Sequence, residues 1–285
     1  MTISLVSDST HYLPEAFVAE HQIHQVSLYV NRDDEVTPER EITDYNAYYR
    51  SLEGGKALPT TSQPSIGDFL AVYEPLLDQG QEILSIHLAG GISGTYRAAL
   101  QARDTLTPEL AARVHVVDSG MACGALGLQL LAAGQALKRG GSANEAIAAA
   151  AEVRERIKLY FAVDTLEYLQ RGGRIGPATA FLGSALKIKP ILRIDNEILP
   201  VEKVRTTKKA LDRLTQLLQE CHDDGLDAWV IQHVQAPERA EIMADRGREI
   251  FGTEPLYIAE VGPVIGTHIG PGLIGAGGIT GSLVR

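Results

Sequence analysis

Cysteine and aromatic residues are scarce in this sequence. Cys123 and Cys221 are the only cysteines among 285 residues, which excludes a disulfide-stapled secreted scaffold and a structural zinc site. No H-E-x-x-H motif and no cysteine–histidine cluster occurs, so we expect no metal cofactor. Aromatic residues make up only 6% of the chain, which leaves little material for the base-stacking platforms of single-strand nucleic-acid binders. The cysteine usage predicts a cytoplasmic protein.

Acidic residues outnumber basic residues, and the sequence contains no long apolar run. The chain has 26 Lys and Arg against 36 Asp and Glu, a formal net charge of −10, which disfavours nucleic acid as a partner. No uncharged apolar run approaches the roughly 18 residues of a membrane span, and the opening MTISLVSDST does not resemble a signal peptide. Hydrophobic residues still make up 45% of the chain, and its 285 residues favour two compact domains.

The first half of the chain repeats a short aliphatic run, a polar or glycine-rich turn and a helical pattern, which is typical of parallel β/α units. Strands are expected at Ile3–Val6, His24–Val30, Ile83–Leu88 and Val114–Val117. Helices are expected at Glu15–Glu20, Gly67–Leu77 and Ala98–Leu106, and a long helix that reaches Leu137 is expected after the turn Asp118-Ser119-Gly120. We therefore predict an α/β protein whose N-terminal domain, residues 1–157, is a three-layer α/β/α unit with a parallel sheet. Because turns after parallel strands meet at one sheet edge, Asp8, Ser93, Asp118 and Ser119 are expected to lie close together.

A charge-mixed helix predicted over Ala143–Lys158 separates this half from one with a different pattern. Strands are expected at Tyr160–Val163, Ala228–Val234 and Leu256–Glu260, helices at Ala178–Leu186, Thr207–Cys221 and Pro237–Phe251, and a hairpin of Ile191–Ile194 and Ile198–Val201 about Asp195 and Asn196. These elements predict a C-terminal domain, residues 158–285, that is a two-layer α/β unit with a mixed sheet. The glycine-rich stretch Gly262–Gly281 keeps enough aliphatic residues to pack, so we expect an ordered loop that closes onto the site.

No nucleotide site is indicated. Gly270–Gly275 matches G-x-G-x-x-G, but a dinucleotide fingerprint joins a strand to a helix and is followed about 20 residues later by an acidic residue, and no acidic residue follows this motif. A G-x-x-x-x-G-K-[ST] loop is also absent from the sequence. We therefore expect no cofactor.

Ser93 is the most informative hydroxyl, because it lies in a glycine-rich turn between a strand and a helix, where free N–H groups and the helix dipole favour an anion. Three uses of this hydroxyl stay open. It can cap the following helix, or it can act as a nucleophile with His268 as base and Asp8 or Asp118 orienting that histidine. It can also hold a ligand carboxylate together with Thr61. The sequence around Ser93 departs from G-x-S-x-G at its last position, which leaves the hydrolase as the alternative.

Other segments offer places for the rest of a ligand. The helix after Asp118 and the segment Ala178–Leu186 are rich in Gly, Ala and Leu, small side chains that can leave room for an apolar ligand, although tight helix packing gives the same composition. Arg174 and Arg205 lie at turns, where guanidinium groups suit a phosphate or an acidic partner. His268 stands in the glycine-rich stretch that is expected to close over the site.

Six short motifs, spread over almost the whole chain, carry a family resemblance. They are Ser7-Asp8-Ser9-Thr10, Thr61-Ser62-Gln63-Pro64-Ser65, Ser93-Gly94-Thr95-Tyr96, Asp118-Ser119, Gly172-Gly173-Arg174-Ile175 and Gly266-Thr267-His268-Ile269-Gly270-Pro271-Gly272. In this order and spacing they resemble the DegV family. The resemblance implies a two-domain α/β protein that binds a long-chain fatty acid between its domains and is not itself an enzyme.

The resemblance also implies partners and site residues. A separate ATP-binding subunit of a fatty acid kinase would phosphorylate the bound carboxylate, and the acyl phosphate would feed phospholipid synthesis. Transient membrane contact during ligand exchange is compatible with that role. By motif, Thr61 and Ser93 would hold the fatty-acid carboxylate, while Arg174, Arg205 and His268 would face the head group or the kinase.

Two segments depart from the usual pattern of the family. Gly90-Gly91-Ile92 precedes Ser93, and Leu169-Gln170-Arg171 precedes the Gly-Gly-Arg turn. Neither change removes a polar ligand contact, and both leave the choice of kinase partner open. A serine-dependent acyl ester hydrolase that uses Ser93 and His268 remains the alternative function.

Overall fold

The computed structural model describes residues 2–52, 58–183 and 188–285. Within these residues the strands are β1 (Ile3–Asp8), β2 (His24–Val26), β3 (Tyr29–Arg32), β4 (Glu35–Pro38), β5 (Thr60–Ser62), β6 (Glu82–His87), β7 (Val114–Asp118), β8 (Lys158–Ala162), β9 (Lys189–Asp195), β10 (Glu197–Val204), β11 (Ala228–His233), β12 (Tyr257–Glu260) and β13 (Ile274–Ile279). The helices are α1 (Glu15–Glu20), α2 (Tyr45–Arg50), α3 (Ile66–Asp78), α4 (Thr95–Thr105), α5 (Pro108–Ala111), α6 (Cys123–Lys138), α7 (Ala143–Arg156), α8 (Glu167–Arg171), α9 (Thr207–Asp223), α10 (Pro237–Phe251) and α11 (Pro263–Ile269). Short 3-10 segments occur at Ser9–His11, Glu39–Glu41, Gly176–Phe181 and Gly281–Leu283.

A four-stranded parallel sheet forms the N-terminal half, in the order β2-β1-β6-β7. Helices α3 and α4 pack on one face, and α6 and α7 pack on the other. Side chains alternate along β1, so that Val6 packs with Phe69 of α3 while Leu5 packs on the side of α6. The predicted three-layer α/β/α arrangement with a parallel sheet is confirmed.

A capping box fixes the start of α3. The Ser65 hydroxyl accepts the Asp68 N–H at 3.1 Å, and the Asp68 carboxylate accepts the Ser65 N–H at 2.7 Å. In the hydroxyl-rich segment 60–65, Ser65 therefore caps the helix and Thr61 faces a cavity. Ser142 and Glu145 form a second capping box at the start of α7.

A six-stranded sheet forms the C-terminal half, in the order β10-β9-β8-β13-β11-β12. Among the described strands of this sheet, only the β11–β12 pair is parallel, so the sheet is mixed as predicted. Along β11, Trp229 and Ile231 pack against α9 and α10, whereas Val230 belongs to the core shared with the N-terminal half. One face of this sheet is therefore covered by helices and the other faces the N-terminal half.

The glycine-rich stretch Gly262–Gly281 is not a closing loop, so that prediction is wrong. Its first part forms α11, and its second part forms β13 in the middle of the mixed sheet, paired with both β8 and β11. A Cβ on Gly277 would lie 2.3 Å from the Lys158 carbonyl oxygen, so the close approach of β8 requires glycine here. Glycine in this stretch allows tight strand packing and does not mark irregular structure.

The strand predicted over His24–Val30 is divided between two sheets. β2 joins the parallel sheet, whereas β3 pairs antiparallel with β4 and β5 in a separate three-stranded sheet. Between them, the Leu28 carbonyl accepts the Glu39 N–H at 2.8 Å instead of extending a ladder. β5 carries Thr61, so the small sheet brings this residue to the rest of the molecule.

The segment predicted as a helix over Ala178–Leu186 is a 3-10 segment at Gly176–Phe181. Gly183 has a φ of +77°, a left-handed conformation that ends helical structure, and residues 184–186 lie outside the described residues.

In the described part of the chain, no helix is long and apolar enough to span a membrane. The division into domains at residues 157 and 158 stays a prediction.

Candidate functional site

A cavity of about 280 Å³ lies between the carboxyl edge of the parallel sheet, α11 and the inner face of the mixed sheet. This volume is close to the lower end of the range typical of small-molecule sites. Most of its wall is apolar and comes from segments that are distant in sequence, namely Leu28, Leu88, Ile92, Leu159, Phe161, Leu169, Ile194, Ile198, Val261, Val264, Ile265, Ile269 and Leu273. The cavity can therefore accept an extended apolar group.

Small helical residues do not line this cavity in the way that the composition suggested. From α6, only Cys123 reaches it, together with the preceding Ala122. A Cβ on Gly134 would lie 2.3 Å from His21 Nδ1, so glycine in α6 serves close packing against the N-terminal segment. Of the two alternatives that the composition left open, the described residues of α6 favour tight helix packing over room for a ligand.

Thr61 and His268 form one side of a polar mouth. Thr61 Oγ1 lies 2.6 Å from His268 Nε2. On its other side the imidazole ring faces Gly172, where a Cβ would lie 2.2 Å from Nδ1. The Gly172 carbonyl accepts a hydrogen bond from Arg174 Nη1 at 2.6 Å. β5, α11 and the Gly-Gly-Arg turn therefore meet at this end of the cavity.

The mouth continues from Arg174 to Ser93. Arg174 Nε donates to the Ile92 carbonyl at 3.3 Å, which ties the arginine to the turn that carries Ser93. The side chain of Gln63 packs over Gly94, where a Cβ would overlap its Oε1 atom. Gln63 follows Thr61 by two residues, so the contacts close into a ring around the mouth. Thr61, Ser93, Arg174 and His268 all line the cavity, as a polar end to an apolar space.

His268 is neutral in this environment. Burial, reinforced by the positive charge of Arg174, lowers the pKa of His268 from 6.5 to about 4. A neutral ring carries one proton, and when that proton is on Nε2 it donates to Thr61 Oγ1. The Thr61 hydroxyl proton is then available for a ligand oxygen at the mouth.

Ser93 combines two of the uses that its sequence left open. Its Oγ accepts the Thr95 N–H at 3.2 Å and lies 2.9 Å from Thr95 Oγ1, so it satisfies an N–H at the start of α4 although Gly94 is the N-cap residue. The same side chain is only partly buried and lines the cavity. Ser93 is therefore held in place by its helix while remaining accessible to a ligand.

The carboxylates of the sheet edge bind the turn before Ser93. Asp8 Oδ2 accepts the Leu88 N–H at 2.9 Å, and Asp118 accepts the Gly90 N–H at 3.1 Å. The prediction that these residues meet at one sheet edge is confirmed. Neither carboxylate lines the cavity, so both support the turn and do not contact a ligand there.

Asp8 is fully buried in a network of its own. Burial alone would raise its pKa, but the hydrogen bond and charge of His87, with hydrogen bonds from Thr10 and Leu88, hold the pKa below its ordinary value. Ser119 belongs to the same edge, because its N–H donates to the His87 carbonyl at 3.0 Å. The network therefore connects β1, β6 and the turns that follow β6 and β7.

The hydrolase alternative requires hydrogen bonds from Ser93 to His268 and from His268 to an aspartate, and the described residues do not form them. His268 pairs with Thr61, Asp8 pairs with His87, and Asp118 binds backbone N–H groups. Across the described residues, no hydrogen bond joins Ser93 to His268 or His268 to either aspartate. A histidine with a pKa of about 4 is also a poor general base near neutral pH.

Arg205 stands apart from the other candidate residues. It is exposed between β10 and α9 and does not line the cavity, whereas Arg174 does. The structure therefore brings together Thr61, Ser93, Arg174 and His268 and leaves Arg205 outside this group.

Helix α11, which forms one wall of the cavity, is fastened by the buried Glu39. Oε1 of this carboxyl accepts the Val264 N–H at 2.8 Å and the Tyr12 hydroxyl at 2.7 Å, and Ser9 Oγ donates to Oε2 at 2.5 Å. Burial raises the pKa of Glu39 to about 7. The Tyr49 hydroxyl adds a hydrogen bond to the Val261 carbonyl at 3.0 Å.

Sequence reasoning missed Gln63 and most of the apolar wall as parts of the site. Gln63 stands inside the motif Thr61-Ser62-Gln63-Pro64-Ser65, but a glutamine at this position carries no sequence signal for a contact at the site. The wall residues carry no local signal, because they converge only through the packing of both sheets and α11. In the described residues, no group of three or more His, Cys, Asp or Glu is placed to hold a metal ion.

Fold and cavity together define an α/β protein in which a parallel sheet and a mixed sheet border an apolar cavity with a polar, cationic mouth. A family sequence model described as "Uncharacterised protein, DegV family" matches residues 2–280. Protein DegV of Bacillus subtilis is 40% identical over 279 residues, which cover 96% of this chain and 98% of that protein. The chain belongs to the DegV family.

Solved structures of relatives have the same fold. The crystal structure of DegV from Bacillus subtilis, described as a fatty acid binding protein, matches with a TM-score of 0.85 and 38% identity, covering 97% of this chain and 98% of that one. A DegV family protein from Thermus thermophilus, described for its fatty acid binding, matches with a TM-score of 0.88 and 31% identity, covering 98% and 100%.

Proposed function

We propose that this protein binds a long-chain fatty acid, with the carboxylate at the polar mouth and the acyl chain in the apolar cavity. The observation that carries the proposal is the asymmetry of the cavity, in which Thr61, Ser93, Arg174 and His268 stand at one end of an otherwise mostly apolar wall. The fatty acid binding described for the relatives from Bacillus subtilis and Thermus thermophilus supports it.

The head group would be held by complementary donors. The hydroxyls of Thr61 and Ser93 donate to the carboxylate oxygens, and Arg174 supplies a positive charge beside them. Neutral His268 fixes the Thr61 hydroxyl and does not compete with Arg174 for the anion. These roles explain why a mouth with one cation contains two hydroxyls and a histidine.

The acyl chain would supply most of the binding free energy. Burial of about fifteen methylenes at roughly 0.8 kcal/mol each contributes on the order of 12 kcal/mol before the costs of association. A ligand held this strongly remains bound through purification. The protein would thus act as a carrier that keeps a poorly soluble acid out of water.

The carrier would serve a separate kinase. In this proposal an ATP-binding subunit of a fatty acid kinase phosphorylates the bound carboxylate in the cytoplasm, and the acyl phosphate enters phospholipid synthesis. The lack of a nucleotide-binding loop in the sequence and the exposed positions of Arg174 and Arg205 support this division of labour. The ligand would lie between domains divided at residues 157 and 158, and brief membrane contact would exchange it.

Competition between ligands of equal length tests the proposal. A fluorescent fatty acid bound to delipidated protein should be displaced by hexadecanoic acid at far lower concentration than by hexadecan-1-ol, which keeps the chain but lacks the carboxylate. Equal displacement by acid and alcohol would contradict a carboxylate site. A delipidated protein that binds neither the fluorescent fatty acid nor hexadecanoic acid would contradict a lipid carrier.

A further inference from the structure

The tip of the β9–β10 hairpin docks onto the turn that carries Ser93. Asn196, the residue at this tip, accepts the Gly91 N–H with Oδ1 at 3.1 Å, and its own N–H donates to the Gly120 carbonyl at 2.7 Å. A Cβ on Gly91 would lie 2.3 Å from the Asn196 carbonyl oxygen, so this approach requires glycine. One residue of the mixed sheet thus binds two turns of the parallel sheet.

The conformation of Asn196 suits this position. Its φ is +60°, in the left-handed region that asparagine enters more readily than most other residues. The neighbouring Asp195 lies 3.3 Å from Arg154 Nη2 of α7, an exposed ion pair that adds a second contact to the N-terminal half. The flanking Ile194 and Ile198 line the cavity, so the same hairpin contributes to the apolar wall.

The turn before Ser93 is held from both halves of the molecule. Asp8 and Asp118 bind its first residues, through Leu88 and Gly90. The residues immediately before Ser93 are bound from the mixed sheet half, Gly91 by Asn196 and the Ile92 carbonyl by Arg174. Asn196 therefore holds one of the two residues that directly precede Ser93.

We infer that Asn196 is a positioning residue for the carboxylate site. Its amide oxygen holds Gly91 so that the Ser93 hydroxyl points at the ligand carboxylate, although Asn196 itself does not line the cavity. The identity of the ligand in this inference rests on the proposed function. The contacts of Asn196 with the turn do not depend on that identity.

Two substitutions separate the side-chain hydrogen bond from the backbone conformation. Asn196→Gly keeps the left-handed φ at no steric cost and removes the acceptor. Asn196→Asp keeps both an acceptor and a residue that tolerates this φ. We expect Asn196→Gly to weaken hexadecanoic acid binding about three- to tenfold, the effect of one ordinary hydrogen bond, and to change hexadecan-1-ol binding less than twofold. Asn196→Asp should lose less acid affinity than Asn196→Gly, because it keeps the acceptor although it adds a negative charge, and it should bind hexadecan-1-ol like the wild-type protein.

Three binding results would overturn the inference. These are unchanged acid affinity in Asn196→Gly, an equal loss for acid and alcohol, which indicates only a structural role for the hairpin, and a loss in Asn196→Asp as large as in Asn196→Gly. Amide hydrogen exchange of the ligand-free protein gives a readout that does not depend on fatty acid. Exchange over residues 91–95 should be faster in Asn196→Gly than in wild type, and unchanged exchange would overturn the inference. If the wild-type protein binds no fatty acid, the proposed function fails and hydrogen exchange alone decides the position of the turn.

Discussion

Thr61 Oγ1 and His268 Nε2 lie 2.6 Å apart although 207 residues separate them in the chain. The first belongs to the small three-stranded sheet and the second to α11, so this hydrogen bond connects two elements across the mouth of the cavity. Because burial keeps His268 neutral, the bond orients a hydroxyl and adds no charge to the site.

Replacing Thr61 with valine should weaken fatty acid binding about 10- to 100-fold. Thr61→Val removes the hydroxyl and keeps the shape, and a hydrogen bond to a charged group contributes about 1.5–3 kcal/mol. Thr60→Val is the matched control, since Thr60 precedes Thr61 on β5 and is exposed. Isothermal titration with hexadecanoic acid measures both variants. Equal losses in the two variants would assign the effect to β5 as a whole.

Ester hydrolysis should be undetectable in the wild-type protein. His268 bonds to Thr61 and Ser93 bonds to Thr95, so within the described residues His268 is not placed as a general base for Ser93. A chromogenic acyl ester assay on wild type, Ser93→Ala and His268→Ala checks this expectation. In a separate binding measurement, Ser93→Ala should still bind fatty acid, but with lower affinity than wild type. Turnover by wild type that both substitutions abolish would establish the hydrolase instead.

The two turn arginines should respond differently to substitution. Arg174→Ala removes the cation at the mouth and its hydrogen bond to Ile92, so acid affinity should fall about tenfold while alcohol affinity changes little. Arg205→Ala lies outside the cavity lining and should leave both affinities unchanged. In a kinase-coupled assay, both variants should lose acyl phosphate formation. Loss of acid binding in Arg205→Ala would contradict this assignment.

Glu39 should make the stability of the protein depend on pH. Burial raises its pKa from 4.5 to about 7, so between these values the folded protein keeps a proton that the unfolded chain releases. This contribution to stability is complete below pH 4.5 and is lost as the pH rises to about 7. Glu39→Gln cannot titrate, so the free energy of unfolding of wild type relative to this variant should fall from pH 5 to pH 8, by up to about 3 kcal/mol. Denaturant titrations at several pH values measure the difference, and a constant difference would show that Glu39 does not titrate in this range.

Local sequence signals located most elements of the fold. α1 and α10 have the predicted bounds, Glu15–Glu20 and Pro237–Phe251. Each helix has a proline at or just before its first residue and a glutamate in its first turn. The hairpin about Asn196 also follows from its turn residues. β13 could not be found in this way, because its glycines carry no strand propensity and form a strand only since β8 and β11 pair with it on both sides.

The polar part of the site was more accessible to sequence reasoning than its apolar part. Ser93 stands in a glycine-rich turn before a helix, where a hydroxyl beside free backbone N–H groups indicates a ligand. Thr61 stands in a hydroxyl-rich segment that gives a similar signal. Leu28 and Val264 look like any core residue, and only tertiary packing places them around one cavity. Asn196 carried a turn signal, but its contact with Gly91 joins residues 105 positions apart and had no local signature.

Native mass spectrometry of the purified protein, followed by solvent extraction and identification of the released compound, tests fatty acid binding most directly. The account predicts one fatty acid of about 14 to 18 carbons per protein chain, a chain length consistent with the roughly 12 kcal/mol that its methylenes contribute. Thr61→Val purified in parallel should carry substantially less. A wild-type protein that is isolated empty and takes up no added fatty acid would contradict the account.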